Sequence, residues 1–325
     1  MQNRIAYIDA LRGFAILLVI VGHLIQFNYS SGIENPIFNI IYSFHMPLFF
    51  FISGCARSIS ESYRGGITNL KELVRFYWKS FLTLIVPALS WTYLVPLFFT
   101  GNGEPQEFKF WFLSVLFVIM LIWGGYSYIY HKFGKRKWVT CILVCGVAIL
   151  FLIGIKRIPL MYLSMFILGY YFQEGEWLHK IHSHVYSVML FCFLLIVGYF
   201  SYGDTSLGSA DRVWLEFPLS IIASLVLTRL FAFIEQCSYK ITKTFAFIGM
   251  HTIGIYLCHF YFVEIPVIEV LENMTSNMLQ FVLLFIIAYS IAILCASIQN
   301  MTKIFSFVNG VLYGQYNKIT LCKSL

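Results

Sequence analysis

The stretch I-D-A-L-R-G-F-A-I-L-L-V-I-V-G-H, from Ile8 to His23, decides the class of this chain. It is the centre of an apolar run over 5–27, and about 20 apolar residues are enough to cross a bilayer as a helix. The run carries Asp9 and Arg12, and no small-residue cleavage site follows it. It therefore reads as a retained span and not as a removed leader. The remainder of the chain has the same character. Of 325 residues, 59% are hydrophobic and only 11% are charged, and the mean hydropathy is +0.78. A soluble domain is about 25% charged. An ordinary water-soluble enzyme, a disordered chain and a secreted disulfide scaffold are thereby excluded. The long unbroken runs also exclude a β-barrel, whose strands alternate apolar and polar residues. The expected fold is an all-α integral membrane protein.

Working outward from that first run, nine more follow: 36–56, 76–100, 110–130, 138–155, 158–173, 185–201, 215–234, 245–266 and 278–300. The expectation is a bundle of about ten transmembrane helices over 1–300, with a short cytoplasmic tail at 301–325. Pro87 and Pro96 predict kinks in the third span. The eight cysteines contain no C-x-x-C pair, and most, such as Cys141, Cys145, Cys192, Cys258 and Cys295, lie inside apolar runs. They read as reduced packing residues. The +7 net charge reads as cytoplasmic loop bias and not as a nucleic-acid signal. With the N-terminus inside, only Lys109, Lys156, Arg157 and Arg212 face outward. Arg12 and Arg229 lie within spans, and the remaining sixteen of the 22 Lys and Arg face inward. Both termini are thus expected in the cytoplasm. The pair 138–155 and 158–173 is the tightest place in this scheme. Fusing it into one span reverses every later loop and weakens the bias.

Ionisable groups inside a span are costly, and each is a functional hypothesis by default. At about 100° per residue, Arg12 and His23 return to within roughly 20° of each other, and Asp9 to within roughly 40° of His23. One stripe therefore presents a cation in the inner half and an imidazole in the outer half, about 16 Å apart along the axis. Plainer readings exist. Arg12 could snorkel to the inner headgroups beside Asp9, and His23 could be an interfacial histidine. The second span holds F-H-M-P-L-F-F-F-I-S-G, Phe44 to Gly54. It places His45 near the depth of His23 and Ser53 near the depth of Arg12. The ninth span holds I-G-M-H-T-I-G-I-Y-L-C-H, Ile248 to His259. His259 falls in its outer half, with Tyr256 one turn before it and His251 deeper. His179, His182 and His184 form a cluster on an inner loop, where solvation explains them better than a metal, and no metal is predicted. Outer acidic residues (Glu34, Asp204, Asp211, Glu216 and Glu264) are ordinary loop charges or hydrogen-bonding partners for sugar hydroxyls. The basic segment from Arg57 to Lys79 reads as a topology signal or as an attractor of an anionic cytoplasmic ligand.

Taken together, these motifs resemble the acyltransferase-3 family of integral membrane O-acyltransferases, in its fucose 4-O-acetylase-like branch. The resemblance rests on Arg12, ten residues, then His23; on F-H-M-P-L-F-F-F-I-S-G; on W-F-L at Trp111–Leu113; and on the Ile248–His259 segment. These occur in order along the whole chain. The resemblance implies transfer of an acetyl group from cytoplasmic acetyl-CoA to a hydroxyl of a cell-envelope carbohydrate, by a multi-pass protein of the bacterial inner membrane. It implies Arg12 and His23 as the principal pair. Arg12 would bind the anionic donor through its planar fork, aided by Ser53, Arg75 and Lys79. His23 would be the general base or, less simply, an acyl-carrying nucleophile. His45, Tyr256 or His259 would donate to the tetrahedral oxyanion. Asp9, Trp111 and Glu216 are the expected acceptor contacts. The partners implied are acetyl-CoA, a polysaccharide or lipid-linked sugar, and the bilayer, with no nucleic acid. A proton-coupled transporter using the same intramembrane groups, or a scaffold in an envelope assembly, are the competing classes. No internal repeat of the transporter kind is visible.

Overall fold

A computed structural model describes residues 5–100, 109–134, 137–152, 157–202, 210–274 and 276–316. Among the described residues there are helices and no strands. Arg4, Lys135, Arg136, Lys156, Asp204, Lys318 and Lys323, used in the charge reading, lie outside them.

The first run forms α1, Ala6–Asn28, as the apolar pattern predicts. Its residues from Ala15 to Val21 are at most 2% exposed. A helix apolar on all sides belongs in an interior. The second run is a short α2, Pro36–Tyr42, followed after a turn by α3, His45–Arg64. Asn35 caps α2 by accepting from the amide of Ile37 at 2.9 Å, and Pro36 occupies the first position, where no N–H is needed.

The third run starts earlier than the sequence suggests, at α4, Leu70–Ser80. Asn69 caps it by accepting from the Glu72 amide at 2.9 Å, and Glu72 reaches back to the Thr68 amide at 2.9 Å. Beyond α4 come a π-helical turn at Phe81–Ile85, α5 at Val86–Leu89, a second π-helical turn at Ser90–Leu94, and α6 at Val95–Thr100. The two prolines are taken up by these wide turns, which re-register the backbone bonds that proline cannot make.

Next are α7 (Trp111–Lys132), α8 (Lys137–Leu152), α9 (Arg157–Glu174), α10 (Trp177–Lys180) and α11 (Ser183–Tyr202). They are followed by α12 (Ala210–Cys237), α13 (Tyr239–Met250), α14 (Thr252–Cys258) with a 3-10 turn at His259–Tyr261, α15 (Glu269–Glu272), α16 (Asn277–Thr302) and α17 (Ser306–Tyr313). Among the described residues, six helical segments are long and apolar enough to cross a membrane, and a bent pair makes a seventh. The expected spans 138–155, 158–173 and 185–201 overlap α8, α9 and α11, which are not among those segments, and residues 153–155 lie outside the described residues.

The expected span 245–266 is not one straight helix. It breaks at His251, where α13 and the segment Thr252–Tyr261 are bent by 59°. The polar groups exposed by the break are satisfied on the spot. Thr252 Oγ1 donates to the Gly249 carbonyl at 2.7 Å, and His251 Nδ1 donates to the Phe247 carbonyl at 2.9 Å. A broken helix is tolerated at membrane depth under that condition.

The chain divides into two compact units. The first comprises 1–59 and 165–296, and α1 is its centre. There α1 crosses α13 so closely that a Cβ at Gly13 would meet the Phe245 carbonyl, and one at Gly249 would meet the Asp9 carbonyl. A second close crossing joins α3 and α9, where Gly54 faces the Phe166 carbonyl and Gly169 faces the Phe51 carbonyl. Without a hydrophobic drive between helices in lipid, small residues earn their place by letting backbones approach.

The second unit comprises 60–164 and 297–325. Within it Ile67 N donates to Ser127 Oγ at 3.3 Å, and Trp123 Nε1 donates to Glu61 at 3.1 Å. There α17 packs against the π-helical stretch, with Trp91 Nε1 donating to the Leu312 carbonyl at 2.8 Å. The described cysteines are free; Cys55, Cys258 and Cys295 are buried, whereas Cys141 and Cys145 are exposed on their helix.

Candidate active site

His23 lies toward the C-terminal end of α1, and the bend in the ninth run carries His259 to it. His23 Nδ1 and His259 Nε2 are 2.8 Å apart, with ring planes only 3° from parallel. His259 is completely buried, and its other nitrogen, Nδ1, lies 3.0 Å from the Ile255 carbonyl. A carbonyl only accepts, so His259 Nδ1 carries the proton in the neutral ring. His259 Nε2 is then the acceptor, and His23 Nδ1–H is the donor. The relay thereby leaves the basic lone pair of the neutral His23 on Nε2. One backbone carbonyl thus selects the tautomer of a residue on another helix.

Phe260 covers both imidazoles, at ring-centroid distances of 4.8 Å from His23 and 4.3 Å from His259. Tyr42 approaches His23 at 6.4 Å and His45 at 4.6 Å. Its ring fits there because residue 22 is glycine; a Cβ at Gly22 would strike the Tyr42 ring. Tyr42 donates its hydroxyl to Gln26 at 3.2 Å. His45 is buried and donates Nδ1 to the Ile41 carbonyl at 2.8 Å. Tyr256 is buried with its ring centred 6.0 Å from His259.

The end of α1 is tied down just beyond this cluster. Asn28 Nδ2 donates to the Leu24 and Val263 carbonyls, and Asn28 Oδ1 accepts from the Ile265 amide at 2.7 Å. Glu272 accepts from the amides of Ser30 and Ser31, each at 2.8 Å. These bonds, led by those from Ser31, hold its carboxyl down at about 2.

Arg12 and Asp9 lie on the same helix, about three turns below His23, and are linked at 3.5 Å. The Phe14 ring meets that of Phe231 of α12, tilted by 45° at 5.5 Å. The Arg229 guanidinium lies 5.6 Å over the Tyr186 ring. Ser53 turns its hydroxyl back to the Phe49 carbonyl at 2.8 Å.

The sequence-predicted residues therefore separate. His23 and His259 meet directly, and His45 joins them through Tyr42. Arg12 and Asp9 form a second pair deeper along α1. Glu216 belongs to the same unit, where its carbonyl accepts from Ser220. Arg75 and Lys79 are exposed on α4, and Trp111 stacks on Tyr162 at 5.7 Å; these three belong to the second unit. His182 and His184 are exposed and stack on each other. Among the described residues, no group of three or more His, Cys, Asp and Glu is arranged to hold a metal. Sequence reasoning missed Tyr42, Phe260 and Asn28. Tyr42 was open to it, since it precedes His45 by about one turn, whereas Asn28 shows its role only through partners more than 230 residues away.

Comparison with known proteins adds an independent line. The chain is 28% identical over 196 residues to nodulation protein NolL of Sinorhizobium fredii, covering 53% of this chain and 50% of that protein. It is 35% identical over 98 residues to nodulation protein NolL of Mesorhizobium japonicum, covering 29% of this chain and 24% of the other. The chain thus spans at most about half the length of these relatives. The acyltransferase domain that defines the acyltransferase-3 family matches residues 5–297, nearly the whole chain, and the chain belongs to that family of multi-pass membrane acyltransferases.

Proposed function

We propose that the protein transfers an acetyl group from cytoplasmic acetyl-CoA to a hydroxyl of a cell-envelope carbohydrate in the bacterial inner membrane, with ten spans and both termini in the cytoplasm. The observation that carries this reading is the hydrogen-bonded relay from the Ile255 carbonyl through His259 to His23, in a chain of this family. A sugar hydroxyl is a poor nucleophile near neutrality and needs a base in the transition state. His23 Nε2 takes that proton as the hydroxyl oxygen bonds to the thioester carbon. The imidazolium is then stabilised by His259 Nε2, which accepts from Nδ1–H. The tetrahedral intermediate collapses with cleavage of the carbon–sulfur bond, and the proton on His23 passes to the departing thiolate.

The oxyanion needs a donor. In the neutral site, His45 and His259 have spent their N–H groups on backbone carbonyls. Tyr256, with its ring centred 6.0 Å from His259, is the remaining candidate for that role. Arg12, about 16 Å from His23 along α1, binds the anionic part of the donor, whose long pantetheine arm spans the interval. Arg229, held over the Tyr186 ring in the same unit, adds a second guanidinium, and Arg75 and Lys79 attract the donor from solution.

The test is release of free CoA and labelled acetyl transfer by purified protein in vesicles. Wild type transfers label, and His23→Ala reduces kcat by about 10²–10⁴-fold, the usual worth of a positioned base. Undiminished kcat in His23→Ala sinks the base assignment. Sugar movement across the vesicle without CoA release establishes the transporter reading instead.

A further inference from the structure

Of the three histidines gathered around Tyr42 and Phe260, His45 and His259 are buried, whereas His23 is only partly so. A reacting hydroxyl meets the cluster at His23, and the residues beside it decide what is admitted. One turn further along α1 stand Gln26 and Phe27. Gln26 is exposed. Phe27 is 38% exposed, and its ring is centred 5.8 Å from the His23 ring at 58°. Tyr42, at the end of α2, is stacked on Phe38 at 3.8 Å, which fixes the ring that carries its hydroxyl to Gln26.

The polar side chains near this end of α1 are of two kinds. Asn28 spends its carboxamide on the Leu24 and Val263 carbonyls and the Ile265 amide, and Glu272 spends its carboxylate on Ser30 and Ser31. Both hold backbone in place. Gln26 holds none. Its Oε1 accepts from the Tyr42 hydroxyl at 3.2 Å, and among the described residues its Nε2 meets no protein partner. Tyr42 thus claims the carbonyl end and leaves both N–H groups of the carboxamide to a molecule outside the protein. An exposed carboxamide next to an exposed aromatic ring, both one turn from a base, suits a sugar. The C–H groups on one face of a pyranose meet the negative face of an aromatic ring, and the hydroxyls at its rim accept N–H bonds. A purely apolar ligand leaves the carboxamide unused.

Gln26 lies three residues beyond His23, a rise of about 4.5 Å and about 60° around the helix. A sugar ring with one hydroxyl at His23 therefore has its next hydroxyl within reach of Gln26. We propose that Gln26, Phe27 and Tyr42 form the acceptor subsite. Phe27 stacks on one face of the ring, Gln26 donates to the hydroxyl adjacent to the one that reacts, and Tyr42 holds Gln26 in that orientation. The proposal rests on the acyl-transfer reading above. It adds the residues that select the acceptor and a requirement on it: the reacting hydroxyl has a hydroxyl neighbour on the ring.

The experiment uses the full chain in detergent micelles, labelled acetyl-CoA, and the methyl glycosides of fucose and glucose with their monodeoxy forms. In wild type, removing the neighbouring hydroxyl lowers kcat/KM by about 2- to 10-fold, the worth of one hydrogen bond between uncharged groups. In Gln26→Ala the parent glycoside falls by the same factor, the deoxy form is turned over as by wild type, and the discrimination disappears. Phe27→Ala raises KM for all the glycosides alike, and Phe27→Trp restores it. KM for acetyl-CoA is unchanged in each variant, which separates this role from a folding defect. Saturation-transfer NMR with methyl glycoside and no acetyl-CoA reads binding directly, and its signal drops in Gln26→Ala and Phe27→Ala. Transfer whose discrimination survives Gln26→Ala overturns the subsite and leaves acyl transfer standing. An NMR signal that both variants lose, without acetyl transfer to any glycoside, supports the subsite and overturns acyl transfer. No signal in wild type, or an equal signal in both variants, overturns the subsite.

Discussion

His259 has no solvent contact, and its role follows from which nitrogen bears the proton. In the proposed reaction its Nδ1–H bond to Ile255 makes it the orienting group for His23 and not the base. Replacing it leaves His23 free to take either tautomer, so His259→Ala should lower kcat less than His23→Ala does, with KM for acetyl-CoA unchanged. Steady-state kinetics of the two variants and the double variant check this, and the double variant should match His23→Ala alone. In the proposed reaction Arg12 acts on the other substrate. Arg12→Lys keeps the charge but loses the planar fork, so it should raise KM for acetyl-CoA with little change in KM for the acceptor. Glu272 is governed by hydrogen bonds from Ser30 and Ser31. Its folded-state pKa, about 2, lies below the ordinary 4.5. Its contribution is therefore complete above about pH 4.5 and is lost as pH falls through about 2. The Tm difference between wild type and Glu272→Gln, followed from pH 7 downward, should close over that window.

At the scale of elements, α1 is held by its crossing with α13, where backbone meets backbone at Gly13 and Gly249. A side chain there has only backbone atoms to push against, and those cannot rotate away as a side chain can. Gly249→Ala should therefore cost about 1–3 kcal/mol or more, the range for overpacking, and should lower the denaturation midpoint in detergent. It should also reduce activity beyond the loss of folded protein, because α13 leads through the bend at His251 to His259. An unchanged midpoint would mean that the crossing is looser than the contact implies. The bend explains why a run legible as one span over 245–266 is two helices. Periodicity reports that a segment is apolar enough to span, but it does not register a carbonyl captured by Thr252 or His251.

At the scale of the whole molecule, the proposed ten-span path makes a labelling prediction. Single cysteines placed at Ser31 and Ser276 in a cysteine-free background should react with an impermeant maleimide in intact cells. Those at Thr68 and Ser183 should react only after permeabilisation. Ser183 is the decisive position, because fusing 138–155 and 158–173 into one span would bring it to the outer side. The two units contribute unevenly to the proposed chemistry. The histidine relay and Arg12 belong to the first, whereas Arg75, Lys79 and Trp111 belong to the second.

The sequence by itself determined the solvent of this protein, the order of its apolar helices and the residues whose placement in lipid needs a reason. It could do so because burial in a bilayer is written residue by residue: an apolar run has one favourable environment, and Arg12 or His23 within it stands out. Helical geometry also put Asp9, Arg12 and His23 on one stripe, since that relation is local. It did not determine which histidine touches which. His23 and His259 are 236 residues apart, and only the glycine crossing of α1 with α13, the bend after it and the Asn28 ties bring them to 2.8 Å. Depth along a helix is a one-dimensional quantity that spacing supplies. Proximity and the choice of tautomer depend on backbone carbonyls meeting distant side chains, and only the tertiary structure decides them.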